Sequence, residues 1–237
     1  MTFKKHIPNL FTLLNLLSGT IAVYFAVKEY LIVAAFFVFI GIFFDFLDGF
    51  MARLLKVQGE LGKQLDSLAD VVTSGVVPGI VMFQLLNEVN ISNQWISNDI
   101  SPIAFVGLLI TLAAAYRLAK FNIDERQTSS FIGLPTPAAA LVVLSLPLII
   151  EYSSIEMVTN LIQNQWFLVS LTLVLCYLMN AEIPLFSLKF KEYSWKHNKA
   201  KFIFILLTAI LLILFQFVAI PLVILLYVLI SLITNKS

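Results

Sequence analysis

The sequence is poor in charge and in cysteine and histidine. Only 12% of its 237 residues are charged, and it holds one cysteine and two histidines. So few charges could not cover the surface of a water-soluble domain. The lone Cys176 excludes a disulfide framework and a thiolate metal site, and His6 and His197, far apart and beside lysines, give no indication of histidine chemistry. The composition, with a mean hydropathy of +0.95, therefore predicts an integral membrane protein.

The apolar residues form long continuous runs. Such runs favour membrane helices over a barrel, whose strands would alternate. A helix crosses the hydrocarbon with about 20 mostly apolar residues. Eight spans of this kind can be drawn, at residues 8–27, 30–51, 66–87, 101–120, 134–151, 165–181, 200–217 and 218–235. We expect an all-α polytopic membrane helical bundle in one domain, 1–237; a tight turn near Pro221 divides the last two spans, which could instead form one re-entrant or kinked element.

Basic residues gather on one side of these spans. Of the 15 lysines and arginines, only Lys28 falls on the other side. The 14 that share a side are Lys4, Lys5, Arg53, Lys56, Lys63, Arg117, Lys120, Arg126, Lys189, Lys191, Lys196, Lys199, Lys201 and Lys236. By the positive-inside rule this side faces the cytoplasm. We therefore expect a multi-pass protein of the cytoplasmic membrane with both termini inside.

One stretch concentrates aspartates where a membrane protein tolerates them least. In "FDFLDGFMARLLKVQGELGKQLDSLAD", residues 44–70, Asp45 and Asp48 end the second span, and Asp66 and Asp70 begin the third. Spacings of three and four residues place each pair on one face of its helix. Each charged side chain would cost about 2.5–3.5 kcal/mol within the membrane. Two divalent cations could neutralise the four acids, and oxygen ligands favour Mg²⁺ or Mn²⁺. An ion-paired polar seam or an acid-lined cation pathway explains the charges equally well.

The spacing of the residues in this stretch is a more specific indication of function than their charge. From Asp45 to Asp70 it reads D-x2-D-G-x2-A-R-x8-G-x3-D-x3-D, which resembles the signature of the CDP-alcohol phosphatidyltransferase family. The resemblance implies a six-helix catalytic core, here residues 1–181, with chemistry facing the cytoplasm, and a homodimer. Residues 182–237 would add a basic cytoplasmic loop and two further helices.

The resemblance also implies roles for single residues. Asp45, Asp48 and Asp66 would bind metal, and Asp70 would bind the second metal and act as the general base. The CDP group of the substrate would be held by Gly49, Ala52 and Arg53. One departure is Gly59, where relatives often carry serine, so the contact of that hydroxyl would be absent or made by water.

The start of the chain extends the resemblance. "IPNLFTLLN" resembles the beginning of the first helix in the family, which makes Asn9 and Thr12 candidate nucleotide contacts. A helix cap and a packed hydroxyl group are the alternative explanation of these two residues.

A third segment bears on the acceptor alcohol. "RLAKFN" followed by "FIGLPTPAAA" resembles the bacterial, membrane-embedded branch of the family that uses L-serine with CDP-diacylglycerol. The serine carboxylate would pair with Arg117 or Lys120, with Asn122 as a polar neighbour, although interfacial anchoring also explains these residues. Glycerol 3-phosphate or inositol phosphate is the alternative acceptor, and a cation transporter or a non-catalytic scaffold is a less favoured class. We expect no nucleic-acid partner.

Overall fold

The structure, a computed structural model, describes residues 3–89, 100–124, 131–185 and 195–234. Its long elements are helices. They are α1 (Phe3–Val27), α2 (Leu31–Leu55), α3 (Glu60–Asp70), a π-helix (Val71–Val76), α4 (Val77–Glu88), a 3₁₀-helix (Pro102–Leu108), α5 (Leu109–Ile123), α6 (Thr136–Tyr152), α7 (Glu156–Ile162), α8 (Gln165–Asn180), α9 (Trp195–Phe215), a second 3₁₀-helix (Gln216–Val218) and α10 (Ala219–Thr234). Two strands of two residues each, β1 (Phe131–Ile132) and β2 (Pro184–Leu185), pair antiparallel.

The helices confirm an all-α polytopic membrane protein. Among the described residues, five helical stretches are long and apolar enough to cross a membrane, and a sixth results if the bent pair α7 and α8 forms one span. The sequence predicted eight spans, and each of the eight coincides with a helix. The counts differ because Thr136–Tyr152 is only 17 residues long and Lys201–Ile233 counts as one apolar stretch.

The carboxyl-terminal stretch is folded as a hairpin. The rings of Phe204 in α9 and Tyr227 in α10 lie 5.7 Å apart, although 23 residues separate them in the sequence. One straight helix would hold them about 34 Å apart at 1.5 Å per residue, so the two helices run antiparallel. The chain reverses at Gln216, whose φ is 48°, and the turn therefore lies about one helical turn before the predicted position at Pro221.

The third predicted span is a continuous helical stretch with a π-helix inside it. Pro78 has no N–H to bond to the carbonyl of Ser74, and its ring crowds that carbonyl, which explains the wider turn before it. The sequence "SGVVPG" predicts close helix packing with a kink here, and the structure shows the close packing. A Cβ atom at Gly79 would overlap the hydroxyl group of Thr111, and one at Gly75 would lie 3.1 Å from the Cβ of Ala114.

The polar residues gather at one end of the bundle. Helix α1 packs along both α2 and α3, so the start of α1 meets the end of α2 and the start of α3. At the same end, the backbone N–H groups of Gly133 and Leu134 donate to the carbonyls of Ile183 and Leu178. Gly133 has a φ of 73°, and a Cβ atom there would lie 2.6 Å from the carbonyl oxygen of Met179. This contact holds the segment before α6 against the end of α8.

Candidate active site

Three carboxylates converge where α2 and α3 meet. One oxygen from each of Asp45, Asp48 and Asp66 lies within 4.8 Å of the others, a spacing at which a single metal ion could bind all three. Asp48 is buried, and Asp45 and Asp66 are half-buried. The Oδ1 atom of Asp66 is buried and makes no hydrogen bond with any described residue. Anionic oxygen donors with an unsatisfied atom among them fit a hard divalent cation such as Mg²⁺ or Mn²⁺.

Asp70 lies one helical turn beyond Asp66, further from the polar end of the bundle. Its side chain is only 8% exposed. Its Oδ1 atom accepts a hydrogen bond of 3.2 Å from the Asn15 amide. Asp70 does not belong to the three-carboxylate group, so the structure brings three of the four predicted aspartates together and places the fourth directly behind them.

A cavity of about 470 Å³ opens beside the carboxylates. Its lining includes six of the predicted site residues: Asn9, Thr12, Asp48, Gly49, Ala52 and Asp66. Pro8 of α1, the loop between α2 and α3 and the first turn of α3 complete the wall; the last two contribute Val57, Gln58, Gly59, Glu60, Gly62 and Lys63. The volume lies in the range that small-molecule and cofactor sites occupy. The cavity therefore has room for a polar ligand in direct contact with the acids.

Small residues and one arginine shape the α2 side of this cavity. The position that a Cβ would take at Gly49 lies 3.5 Å from the Arg53 guanidinium, which therefore folds back over Gly49. Arg53 also lines a second, adjoining opening together with Lys56 and Gln58. A cation thus lies beside Gly49, which is part of the cavity wall.

The start of α1 supplies polar groups to the same site. The Thr12 hydroxyl donates to Oδ2 of Asp48 at 2.5 Å, so it holds that carboxylate in place. Thr12 is only 2% exposed, so its hydroxyl is also packed inside the protein. Asn9 lines the cavity, and a Cβ at Gly62 would lie 3.4 Å from its Oδ1 atom. Glycine at position 62 therefore lets α3 approach Asn9 closely.

The three residues predicted to bind the acceptor have different surroundings. Arg117 is 7% exposed and carries a buried Nε atom without a hydrogen-bond partner among the described residues. Lys120 instead forms an ion pair of 3.2 Å with Glu182. The Asn122 amide donates to Ser67 Oγ at 2.8 Å, one residue beyond Asp66. The structure therefore leaves Arg117 with donor capacity next to the acids and gives Lys120 a partner elsewhere.

Asn15 and Lys63 are among the polar residues of the site that were missed in the sequence. Asn15 bonds Asp70, and it follows Asn9 and Thr12 at steps of three residues, so helical spacing could have placed it on the same face of α1. Lys63 lines the cavity and donates to the backbone carbonyl of Asn122 at 2.6 Å. That contact joins α3 to the end of α5, and no local sequence pattern signals it.

The fold and the site define a polytopic membrane protein with a carboxylate cluster suited to a divalent cation beside a polar cavity. The sequence profile of the CDP-alcohol phosphatidyltransferase family matches residues 5–178. The chain belongs to this family, which confirms the resemblance in the aspartate motif and makes the chain a membrane transferase of phospholipid biosynthesis.

The chain is also similar to individual relatives within this family. The chain is 34% identical over 147 residues to the CDP-diacylglycerol–serine O-phosphatidyltransferase of Bacillus subtilis, across 60% of this chain and 76% of that protein. It is 35% identical over 153 residues to the enzyme of the same name from Helicobacter pylori, across 63% of this chain and 60% of that protein. It is 31% identical over 153 residues to the archaetidylserine synthase of Methanothermobacter thermautotrophicus, across 63% of this chain and 61% of that protein.

Proposed function

We propose that this protein transfers the phosphatidyl group of CDP-diacylglycerol to the hydroxyl of L-serine, giving phosphatidylserine and CMP. The observation that carries the proposal is the convergence of the family motif on one cavity at the polar end of the bundle. The names of the relatives support serine as the acceptor.

The cavity suits the polar half of CDP-diacylglycerol. The acyl chains would remain in the bilayer, while the CDP group enters between α1, α2 and α3. Gly49 and Ala52 present little side chain to the cavity, so a nucleotide can approach the backbone of α2. Asn9 offers an amide from α1, and Arg53 offers a cation for phosphate. These four residues are proposed to bind the donor substrate.

The aspartates are proposed to hold two Mg²⁺ or Mn²⁺ ions, with Asp45, Asp48 and Asp66 as ligands and Asp70 as a further ligand of the second ion. When bound, such ions neutralise the pyrophosphate of the donor and stabilise charge as the phosphoryl group is transferred. The Oδ1 atom of Asp66 is buried and has no hydrogen-bond partner in the described part of the chain, which supports a ligand role, since a carboxylate oxygen without a partner is costly inside a membrane.

Asp70 is proposed as the general base. It would take the proton of the serine hydroxyl while the serine oxygen attacks the phosphorus nearest the diacylglycerol. The bond from that phosphorus to the oxygen of CMP breaks, and Arg53 helps to balance the charge of the leaving CMP. Arg117, buried and with Asp70 as its acidic neighbour, would pair with the serine carboxylate. Lys120 is the weaker candidate for that contact because Glu182 already binds it.

We further propose that the polar end faces the cytoplasm, together with both termini, in the cytoplasmic membrane. Arg53, Lys56, Lys63, Arg117 and Lys120 all lie at this end, and the positive-inside rule supports the orientation. Several of the predicted inner cations, Arg126, Lys189, Lys191 and Lys236, lie outside the described residues.

The proposed organisation keeps residues 1–181 as the catalytic core. The family match over residues 5–178 supports this boundary. Residues 182–237 would add the basic loop and the hairpin of α9 and α10, which packs against α6. A homodimer remains a prediction from the family resemblance, and measuring the mass of the protein in detergent by light scattering tests it.

The acceptor is tested by CMP release. Purified protein would be incubated with CDP-diacylglycerol and Mn²⁺ and, in separate reactions, with L-serine, glycerol 3-phosphate, inositol or inositol phosphate. We expect release that depends on serine and a lipid product that carries the serine headgroup. Release with another alcohol alone would keep the transferase chemistry and reject serine, and no release with any of them would reject the proposed function.

A further inference from the structure

A buried pair of polar side chains stands behind Asp70. Asn15 of α1 and Thr73 of the π-helix are both completely buried. The Asn15 amide donates to Asp70 Oδ1 at 3.2 Å, and the Thr73 hydroxyl donates to Asn15 Oδ1 at 2.8 Å. Asp70, Asn15 and Thr73 thus form one chain of hydrogen bonds that leads away from the site into the bundle.

The chemistry of the three groups fixes the direction of these bonds. An ionised carboxylate only accepts hydrogen bonds, so the N–H of Asn15 must face Asp70. The carbonyl oxygen of the same amide then faces Thr73, whose hydroxyl donates to it. By donating to that oxygen, Thr73 helps to hold the Asn15 amide in the orientation that the carboxylate requires.

The backbone makes room for this pair with two glycines. A Cβ atom at Gly19 would overlap the Thr73 hydroxyl. A Cβ atom at Gly41 would lie 2.7 Å from Thr73 Cγ2 and 2.9 Å from Asn15 Oδ1. Thr73 is thus enclosed between α1 and α2, with its hydroxyl against one helix and its methyl group against the other. The π-helix that carries Thr73 begins directly after Asp70, and such local widenings are frequent at functional sites.

We propose that Asn15 is a positioning residue for Asp70, and that the Thr73 hydroxyl holds the Asn15 amide in place. The inference rests on the proposed role of Asp70 as the general base. A carboxylate held through Oδ1 keeps one side-chain rotamer and presents Oδ2 to the reacting hydroxyl. Proton transfer depends on this geometry, because small displacements of a catalytic group lower the rate strongly. Loss of the Asn15–Thr73 pair should therefore lower kcat more than it weakens substrate binding.

Two substitutions at Thr73 separate positioning from packing. Thr73→Val keeps the shape and removes the hydroxyl, whereas Thr73→Ser keeps the hydroxyl and removes the methyl group that packs on Gly41. Positioning predicts that Thr73→Val lowers kcat at least about tenfold while KM for serine changes less than about threefold. It also predicts that Thr73→Ser keeps kcat within about threefold of the original value although its thermal unfolding temperature falls.

The steady-state constants and the thermal unfolding temperature would be measured for both variants and for Asn15→Ala, for which a larger fall in kcat is expected. If Asn15→Ala does not fold, the comparison of Thr73→Val with Thr73→Ser tests the proposal. An unchanged kcat in Thr73→Val, or a lower kcat in Thr73→Ser than in Thr73→Val, overturns this inference alone. Absence of serine-dependent CMP release from the unsubstituted protein overturns the proposed function and this inference with it.

Discussion

At the scale of single residues, the spacing of the side chains predicted where the site lies, but it did not predict which group each side chain contacts. Periods of three and four residues placed the carboxylates on two facing helices, and three of them meet within 4.8 Å. The partner of each polar group could not be predicted, since those partners come from distant parts of the chain. Lys120 pairs with Glu182, 62 residues away, and Asn15 bonds Asp70, 55 residues away.

The most direct test of a single residue is Asp70→Asn. The amide is nearly the same size but cannot accept the serine proton, so kcat should fall at least about a hundredfold. Binding of CMP should change little, because Asp70 lies behind the residues that line the cavity. Steady-state kinetics and calorimetric titration with CMP measure the two effects.

A matched control is Glu156→Gln, which removes an acid from α7 at the other end of the bundle and should leave the kinetics unchanged. If Asp70→Asn keeps its turnover, Asp70 is not the base.

Arg117 and Lys120 are distinguished by their surroundings. Arg117→Lys removes the forked geometry that binds a carboxylate through two bonds, so KM for serine should rise about tenfold. Lys120→Gln breaks an exposed ion pair with Glu182 and should change the same KM less than about threefold. Initial rates over a range of serine concentrations test both, and the opposite order of effects would assign the carboxylate contact to Lys120.

At the scale of secondary structure, all eight predicted spans correspond to helices, but their ends differ. Helix α2 continues to Leu55 and α3 begins at Glu60, whereas the sequence predicted residues 51 and 66. Hydropathy marks where the lipid ends, and these helices continue beyond it as polar turns that build the cavity wall. The π-helix was not predicted, because a proline in a helix allows a kink, a break or a wider turn, and the packing of Thr111 on Gly75 and Gly79 selects among them.

Close packing at Gly79 gives a prediction about stability. Gly79→Ala should stabilise the helix by up to about 1 kcal/mol through helix propensity, but it places a methyl group on the Thr111 hydroxyl. The free energy of unfolding should therefore fall by about 1–3 kcal/mol in total. Thermal unfolding in detergent measures the difference.

Gly59→Ala is the control for an added methyl group without a clash, because no atom of the described residues, its chain neighbours aside, lies within 4 Å of a Cβ at that position. Combining Gly79→Ala with Thr111→Ala should recover part of the loss. Equal unfolding temperatures for Gly79→Ala and Gly59→Ala would show that α4 and α5 are not packed as described.

At the scale of the whole molecule, the acids, the cavity and five cations, Arg53, Lys56, Lys63, Arg117 and Lys120, share one end of the bundle. Exposed large apolar side chains lie along the helices, as expected for surfaces that contact lipid. The sequence predicted this polarity because charge and hydropathy report directly on the membrane. It predicted two last spans divided by a tight turn near Pro221 and left one re-entrant or kinked element as the alternative, and the contact of Phe204 with Tyr227 supports the turn.

The orientation can be tested with the cysteine content of the chain. After Cys176→Ser removes the native thiol, Lys56→Cys would place a label at the polar end, and Met157→Cys would place one at the other end, where Met157 is 82% exposed. A membrane-impermeant maleimide added to intact cells should label only the Met157→Cys protein, and both should react after lysis. Labelling of only the Lys56→Cys protein in intact cells would reverse the proposed topology.

The central claim is that carboxylates from α2 and α3 together hold divalent ions at one site. The most direct measurement is the number of Mn²⁺ ions bound per chain, followed by electron paramagnetic resonance in purified protein and in the Asp66→Asn variant. Two bound ions in the unsubstituted protein, and a clear loss of binding in Asp66→Asn, are the predicted result. No specific Mn²⁺ binding, or the same number and affinity of ions in both proteins, would contradict it.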